Sequence, residues 1–476
     1  MKVWAYTAAA FAVMTMAGGV LAAERTITTD VVVVGAGAGG LTAGVAATDA
    51  GLKTIVLEKN AVVGGGGNYM EGTFFVGSAL QKADNIGVNP ERQFKRVMDF
   101  HHWRINARAL NSWLKQTAGV YDWLADHGVH YEAVKTAFID GNRTWHMYKG
   151  GHGTVLVQEF STRIKAKGGE IMTSTPAQSL IIEDGVVKGV KAVAKNGDTL
   201  TIRAGNTIIA TGGFSGNKYL RELHDPRVKG LGTDNLPGST GEVAMAAVRV
   251  GGYLVGMDFI QSTPGAPAGK KMKLLLNFNV NGSIYVDKRG NRIVNEGARR
   301  DVIRDAVLGT PERYAYTVCD NENFMSYDEV NRKAIHEGIK INEAWTAPTI
   351  RELAEKMGVD PAGLEKTINR YNDEFVKNGV DPDFGKTAVN LTKRIEKGPF
   401  WACYTGMTVH HTMGGLNTNT KAQVLDWQGN AIPRLYAAGE ITGGIHGTNR
   451  VGGNAVLDCF VFGQIAGENA AREKIA

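Results

Sequence analysis

The segment GGIHGTNRVGGNAVLD, residues 443–458, sets one long cationic side chain, Arg450, among glycines and other small residues. A guanidinium is planar, stays charged and donates in a fork that matches a carboxylate. Small neighbours let a ligand come close to the backbone beside it. The pattern suits capture of a small anion; an arginine serving only as a structural ion-pair partner is the other reading. A second anion site is written in DVVVVGAGAGGLTAGVAATDAGLKTIVLEKN, residues 30–60. Gly35, Gly37 and Gly40 follow the apolar run Val31–Val34, and Leu41, Val45 and Ala46 give the next segment an apolar helical face. TIVLE returns as a second strand ending on Glu58, 18 residues after Gly40. Strand, glycine turn, helix and distant acid form a dinucleotide-binding arrangement, with the diphosphate at the helix N-terminus and ribose hydroxyls on Glu58.

These groups need a frame. Residues 185–217 contain strands around an Asn196–Gly197 turn and then a buried strand ending at ATGG, residues 210–213. IPRLYAAGEITGG, residues 432–444, gives another strand that ends in a glycine turn with Glu440. A distant strand ending in AGE resembles the FAD enzymes of the glutathione-reductase-like group, so the expected dinucleotide is FAD. No histidine lies between Gly64 and Phe74, the loop where relatives attach flavin covalently, so non-covalent FAD is expected. Further along, TIRELAEKM begins with a Thr349–Glu352 capping box. DPAGLEKTINRYNDEF has Asp360 as cap, Pro361 in the first turn, and Leu364, Ile368, Tyr371 and Phe375 on one face.

A chain of 476 residues has room for two or three domains, and 21% charged residues with 43% hydrophobic is a globular balance. The net charge of +6 favours anionic small molecules or an acidic partner, and no concentrated basic stretch with aromatics points to nucleic acid. Three cysteines without CxxC or CxxCH exclude covalently attached c-type haem and a cysteine-rich metal site, so no haem or metal is expected in this chain. Residues 1–23 read as a signal peptide: Lys2, an apolar run Val3–Ala22, then small residues at a cleavage point. A membrane anchor is the competing reading. Cleavage would leave a protein free of the membrane, in the periplasm for a Gram-negative source.

The stretch VHHTMGGLNTNTKAQVLDWQGNAIPRLYAAGEITGGIHGTNRVGGNAV, with VNEGARRD (294–301) and GPFWA (398–402), resembles the flavoprotein family of soluble fumarate reductases, which includes urocanate and other 2-enoate reductases. The likeness covers residues 28–472. It implies an α/β fold: a glutathione-reductase-like, Rossmann-type FAD domain in two parts, 28–257 and 412–476, with an α+β capping (clamp) domain, 258–411, inserted between them. It implies cofactor contacts at Gly35, Gly37, Ala38, Gly40, Glu58, Lys59, Gly65, Gly66, Gly67, Gly72, Thr73, Thr211, Gly212, Glu242, Glu440, Ala455 and Val456. It also implies reduction of an α,β-unsaturated carboxylate held by Arg450 and His410, with Arg300 as proton donor. Arginine is a poor acid, so electrostatic clamping by Arg300 is the alternative role. His411 is read as supporting or packing, and His446 as packing.

Two departures from the family pattern matter. Fumarate reductases carry His and Thr ligands for a second carboxylate where this chain has Thr263 and Leu275. They carry a Glu/Arg proton relay where it has Leu276 and Asn279. Leucine cannot pair with a second carboxylate, and a desolvated unpaired charge costs several kcal/mol. A monocarboxylic enoate such as acrylate, methacrylate or a cinnamate-like acid is therefore expected. Lys273 pointing inward would alter that reading; pointing outward it is one of the charges of KKMK. Water, Lys273 or Arg299 are the candidates to resupply the proton. Without a haem of its own the chain needs a separate electron donor, a multihaem cytochrome c. The rivals are fumarate or urocanate reduction, the reverse dehydrogenation, a flavin electron-transfer protein with no turnover, and a cytoplasmic NAD-linked enzyme.

Overall fold

The computed structural model describes residues 23–136, 142–272, 275–277 and 279–473. Residues 1–22 of the expected signal peptide (1–23), and Lys273, lie outside these. The strand Glu24–Val34 is central to the larger sheet, and its β-branched run Val31–Val34 is wholly buried. It pairs in parallel with Thr54–Leu57 on one side and Thr199–Ile209 on the other. Glu170–Met172 and Ala431–Ala437 extend the parallel sheet outward, and Gln423–Leu425 adds an antiparallel edge. The hairpin turn at Asn196–Gly197 joins Val186–Val193 to Thr199–Ile209, as the sequence predicts. Continuous Val/Ile runs suit strands covered on both faces.

One of those covers is the helix Ala38–Asp49, buried along nearly its whole length between sheet and C-terminal helix Asn454–Arg472. Glycines on the C-terminal helix allow that approach. A Cβ at Gly463 would stand 2.7 Å from the Gly39 carbonyl oxygen, and one at Gly467 2.6 Å from that of Ala43.

A second sheet is built from residues 260–412. Ile260–Gly265, Phe400–Thr412, Ala315–Cys319 and Ser283–Val286 run antiparallel in that order, with Ala344–Ala347 also paired to Phe400–Thr412. The chain passes between the two sheets through one short ribbon, Leu254–Val255 against Gly415–Leu416. The helix Pro361–Arg370 begins under Asp360, and Leu364, Ile368, Tyr371 and Phe375 are buried against Ile284 and Val318. At Ile350–Met357 only half of the expected capping box forms: Thr349 accepts from the Glu352 N–H, while the exposed Glu352 carboxylate stays in solvent.

A buried ionic cluster holds the VNEGARRD turn. Glu296 accepts from Arg292 at 2.8 and 2.9 Å and lies 2.9 Å from Lys386 Nζ, and Arg292 also reaches Asp381 at 2.7 Å. Burial alone would raise the Glu296 carboxyl, but Lys386 and Arg292 hold it below the usual range. Glu296 also accepts from the Tyr285 N–H, tying the turn to its sheet. Glu296→Ala would leave two buried cations short of an anion, a loss of about 3–5 kcal/mol. A clear drop in the urea midpoint of the FAD-loaded protein is expected, and an unchanged midpoint would remove this cluster from the account of stability.

Candidate active site

A cavity of about 1760 Å³ runs from the ends of the parallel strands to the second sheet. At its nucleotide end, Gly35 has φ +104°, and a Cβ there would stand 2.4 Å from the Ala210 carbonyl oxygen. The helix Ala38–Asp49 opens on the cavity with no side-chain cap and no acid in its first turn, so its N–H groups are free for an anion. Glu58 lines the wall, accepting from the N–H groups of Ala36 at 3.1 Å and Asn60 at 2.9 Å. Lys59 pairs with Glu242 at 2.5 Å. Gly65, Gly66, Gly67, Gly72, Thr211, Gly212, Ala455 and Val456 line the same space. The helix Asn454–Arg472 is a second helix that opens toward it, again without a side-chain cap.

Two expected contacts lie behind the wall. Thr73 is fully buried, its hydroxyl bonded to those of Tyr148 at 2.8 Å and Tyr131 at 3.0 Å. Gly40 serves packing: a Cβ there would collide with the Gly35 carbonyl oxygen at 1.8 Å.

At the other end, Arg300, His410 and Arg450 line one stretch of the cavity. They come from three elements. Arg300 begins the helix Arg300–Leu308, and Arg450 lies in the loop before Asn454–Arg472. His410 owes its place to a bulge: Gln261 pairs with His411 and Ser262 with Val409, leaving His410 as the extra residue. Gln261 links the two arginines. Its carbonyl oxygen accepts from Arg300 Nη1 at 2.9 Å and Arg450 Nε at 3.3 Å, while its amide donates to Asn449 Oδ1 and the Arg450 carbonyl. Burial and the charge of Arg300 push Arg450 down to about 9. Burial lowers Arg300 as well, with Asp234 pulling the other way. Glu440 lines the floor, its carboxylate accepting from the Thr412 N–H at 3.0 Å, and burial raises it.

Thr263 and Leu275 line the cavity too, whereas Leu276 is fully buried against Cys403, and Asn279 donates to Ser326. His411 is buried at the cavity edge with no partner among the described residues on either ring nitrogen, and His446 pairs with Asp458 at 3.2 Å.

A family model described as an FAD binding domain matches residues 30–456. A fumarate reductase (cytochrome) of Shewanella frigidimarina is 33% identical over 94% of this chain and 77% of its own length. The chain belongs to the flavoprotein family of the soluble fumarate reductases. An NADH:fumarate oxidoreductase of Klebsiella pneumoniae is 32% identical over 93% of this chain, which spans about half, 48%, of that protein. In structure it is similar to the open conformation of a flavocytochrome c3 fumarate reductase, with a TM-score of 0.78 and 30% identity over 94% of this chain and 78% of that one. The α/β, glutathione-reductase-like fold read from the sequence is the one found.

FAD fits the nucleotide end of this family member on geometry: an uncapped helix N-terminus for the diphosphate, an acid beside the glycine turn, and Gly35 where no side chain could stand. Sequence reasoning missed Gln261 and Asp234, because neither stands in a recognisable spacing; the bulge that brings Gln261 beside His411 also leaves no sequence mark. Gly35→Ala would force a Cβ into the Ala210 carbonyl and strain the backbone. The purified variant is expected to carry far less FAD, read from the ratio of flavin to protein absorbance; full occupancy would contradict the assigned turn.

Proposed function

We propose that this protein is an exported, periplasmic, FAD-dependent reductase of the C=C bond of an α,β-unsaturated monocarboxylate. Acrylate, methacrylate and cinnamate-like acids are the class, FAD is held without a covalent bond, and electrons come from a separate multihaem cytochrome c. The observation that carries the reading is the convergence of Arg450, His410 and Arg300 on one cavity that Thr263 and Leu275 also line.

Bound FAD would supply a hydride to the β-carbon. Arg450 offers the forked cation for the carboxylate, and His410 offers a second contact from the opposing sheet. Arg300 is held by Gln261 within the same group, where its proton would go to the α-carbon. Burial weakens its hold on that proton, which is the direction a donor needs. A bound carboxylate would screen the repulsion between the guanidinium groups. Neither Thr263 nor Leu275 carries a charge, so a second carboxylate meeting only these two would be desolvated at a cost of several kcal/mol. Lys270 and Lys271 also line the cavity, but Lys270 Nζ lies 4.3 Å from the centre of the Tyr404 ring and Lys271 is exposed. Reduction of a dicarboxylate would require one of these ammonium groups, or that of Lys273, to face the second carboxylate.

Anaerobic reoxidation of the chemically reduced protein by a panel of enoates tests this. Methacrylate, acrylate or a cinnamate should reoxidise the flavin rapidly while fumarate is inert; rapid reoxidation by fumarate would overturn the monocarboxylate assignment. Arg300→Met should slow reoxidation by about 10²–10⁴-fold if Arg300 is the proton donor. Binding of a saturated carboxylate should change far less.

A further inference from the structure

Asp234 lies in the loop between Leu231 and Ser239, and both of its carboxylate oxygens are 3.1 Å from Nδ1 of His410. Its backbone is tied to the strand that carries the histidine. The Asp234 N–H donates to the Val409 carbonyl at 3.2 Å, and Thr233 Oγ1 donates to the same oxygen at 2.7 Å. Asn235 reaches the His410 carbonyl at 3.4 Å. The carboxylate is therefore presented to the imidazole from a fixed loop, with part of both side chains open to the cavity.

A carboxylate only accepts, so the hydrogen of a neutral His410 sits on Nδ1. Nε2 then carries a lone pair, which repels a carboxylate. For Nε2 to donate to the substrate, the His410–Asp234 pair must hold one more proton than it holds in the neutral-ring state.

We propose that Asp234 is a positioning residue that makes carboxylate capture at His410 proton-coupled. The substrate anion enters together with one proton taken from solvent, and the pair retains that proton while the anion is bound. Charge and protons balance: one anion and one proton join a neutral histidine and an aspartate. This rests on the carboxylate-binding reading given above.

The groups facing His410 set the sign. Arg300 approaches from its helix, Arg450 from the loop before Asn454, His411 follows on the same strand, and Glu440 stands behind Asn235 at 3.4–3.5 Å. Burial and then the charge of Arg300 push His410 down to about 4, with Asp234 opposing them. A bound carboxylate cancels the cationic repulsion and raises it. Above about pH 4 the empty pair lacks the extra proton, so affinity falls with rising pH until the complex itself loses it.

The FAD-loaded protein would be titrated with isobutyrate and 3-phenylpropionate, saturated acids with no C=C bond to reduce, following the flavin absorbance between about pH 5 and pH 8. Kd should weaken by up to about tenfold per pH unit. Calorimetry in buffers of different ionisation enthalpy should show uptake approaching one proton. In Asp234→Asn the amide can donate to Nδ1, which frees the hydrogen for Nε2 of a neutral ring, and the slope should flatten. His410→Gln, a neutral donor, should be flat as well. A pH-independent Kd in the unmodified protein, or its full slope persisting in either variant, would overturn the inference. Enoate reoxidation of the same preparations separates the two claims. Proton-coupled binding without reduction would sink the functional reading alone; reduction with pH-independent binding would sink this one alone.

Discussion

Two guanidinium groups in one cavity, of which Arg450 is 6% exposed, are the constraint around which this end of the molecule is organised. Buried like charges repel, and each has also lost part of its hydration. The protein offsets this with neutral and acidic groups aimed at the pair: the Gln261 carbonyl shared by both arginines, with Asp234 and Glu440 nearby. Arg450 nonetheless stays well below the usual arginine range, so the pair retains a demand for a further anion.

That demand explains the arrangement of supporting parts. Arg300 is fixed by a turn whose glutamate is pinned between Arg292 and Lys386, so the buried ionic cluster positions the cationic end from behind. Gln261 and His410 come from paired strands whose register slips by one residue beside them. The nucleotide half uses a different device, backbone N–H groups at helix starts, to attract negative charge. One cavity thus contains two kinds of anion site, one made of dipoles and one of full charges.

The nucleotide half was the more legible in the sequence, because its chemistry lies in the backbone and leaves glycines at fixed spacing. Gly35, Gly37 and Glu58 mark a strand–turn–helix unit wherever they follow an apolar run. Thr73 misled because it neighbours Gly72, a residue of the cavity wall, yet alternation along a strand turns it inward to Tyr148. Arg450 was legible from the small residues around it, whereas Arg300 and His410 were reached through family likeness. Gln261 and Asp234 were not legible at all. Their contacts to Arg300 and His410 span 39 and 176 positions of chain and depend on a strand bulge and on a loop laid against a strand.

The ribbon Leu254–Val255 with Gly415–Leu416 carries the chain both into and out of the second sheet. The two sheets are also stitched together beside the site: Thr233 and Asp234 both donate to the Val409 carbonyl, and Asn449 donates to Asp301. Arg450 belongs to one side of that seam and His410 and Arg300 to the other, so the spacing of these three side chains is set by the folded chain itself, and a ligand meets a receptor that is already assembled.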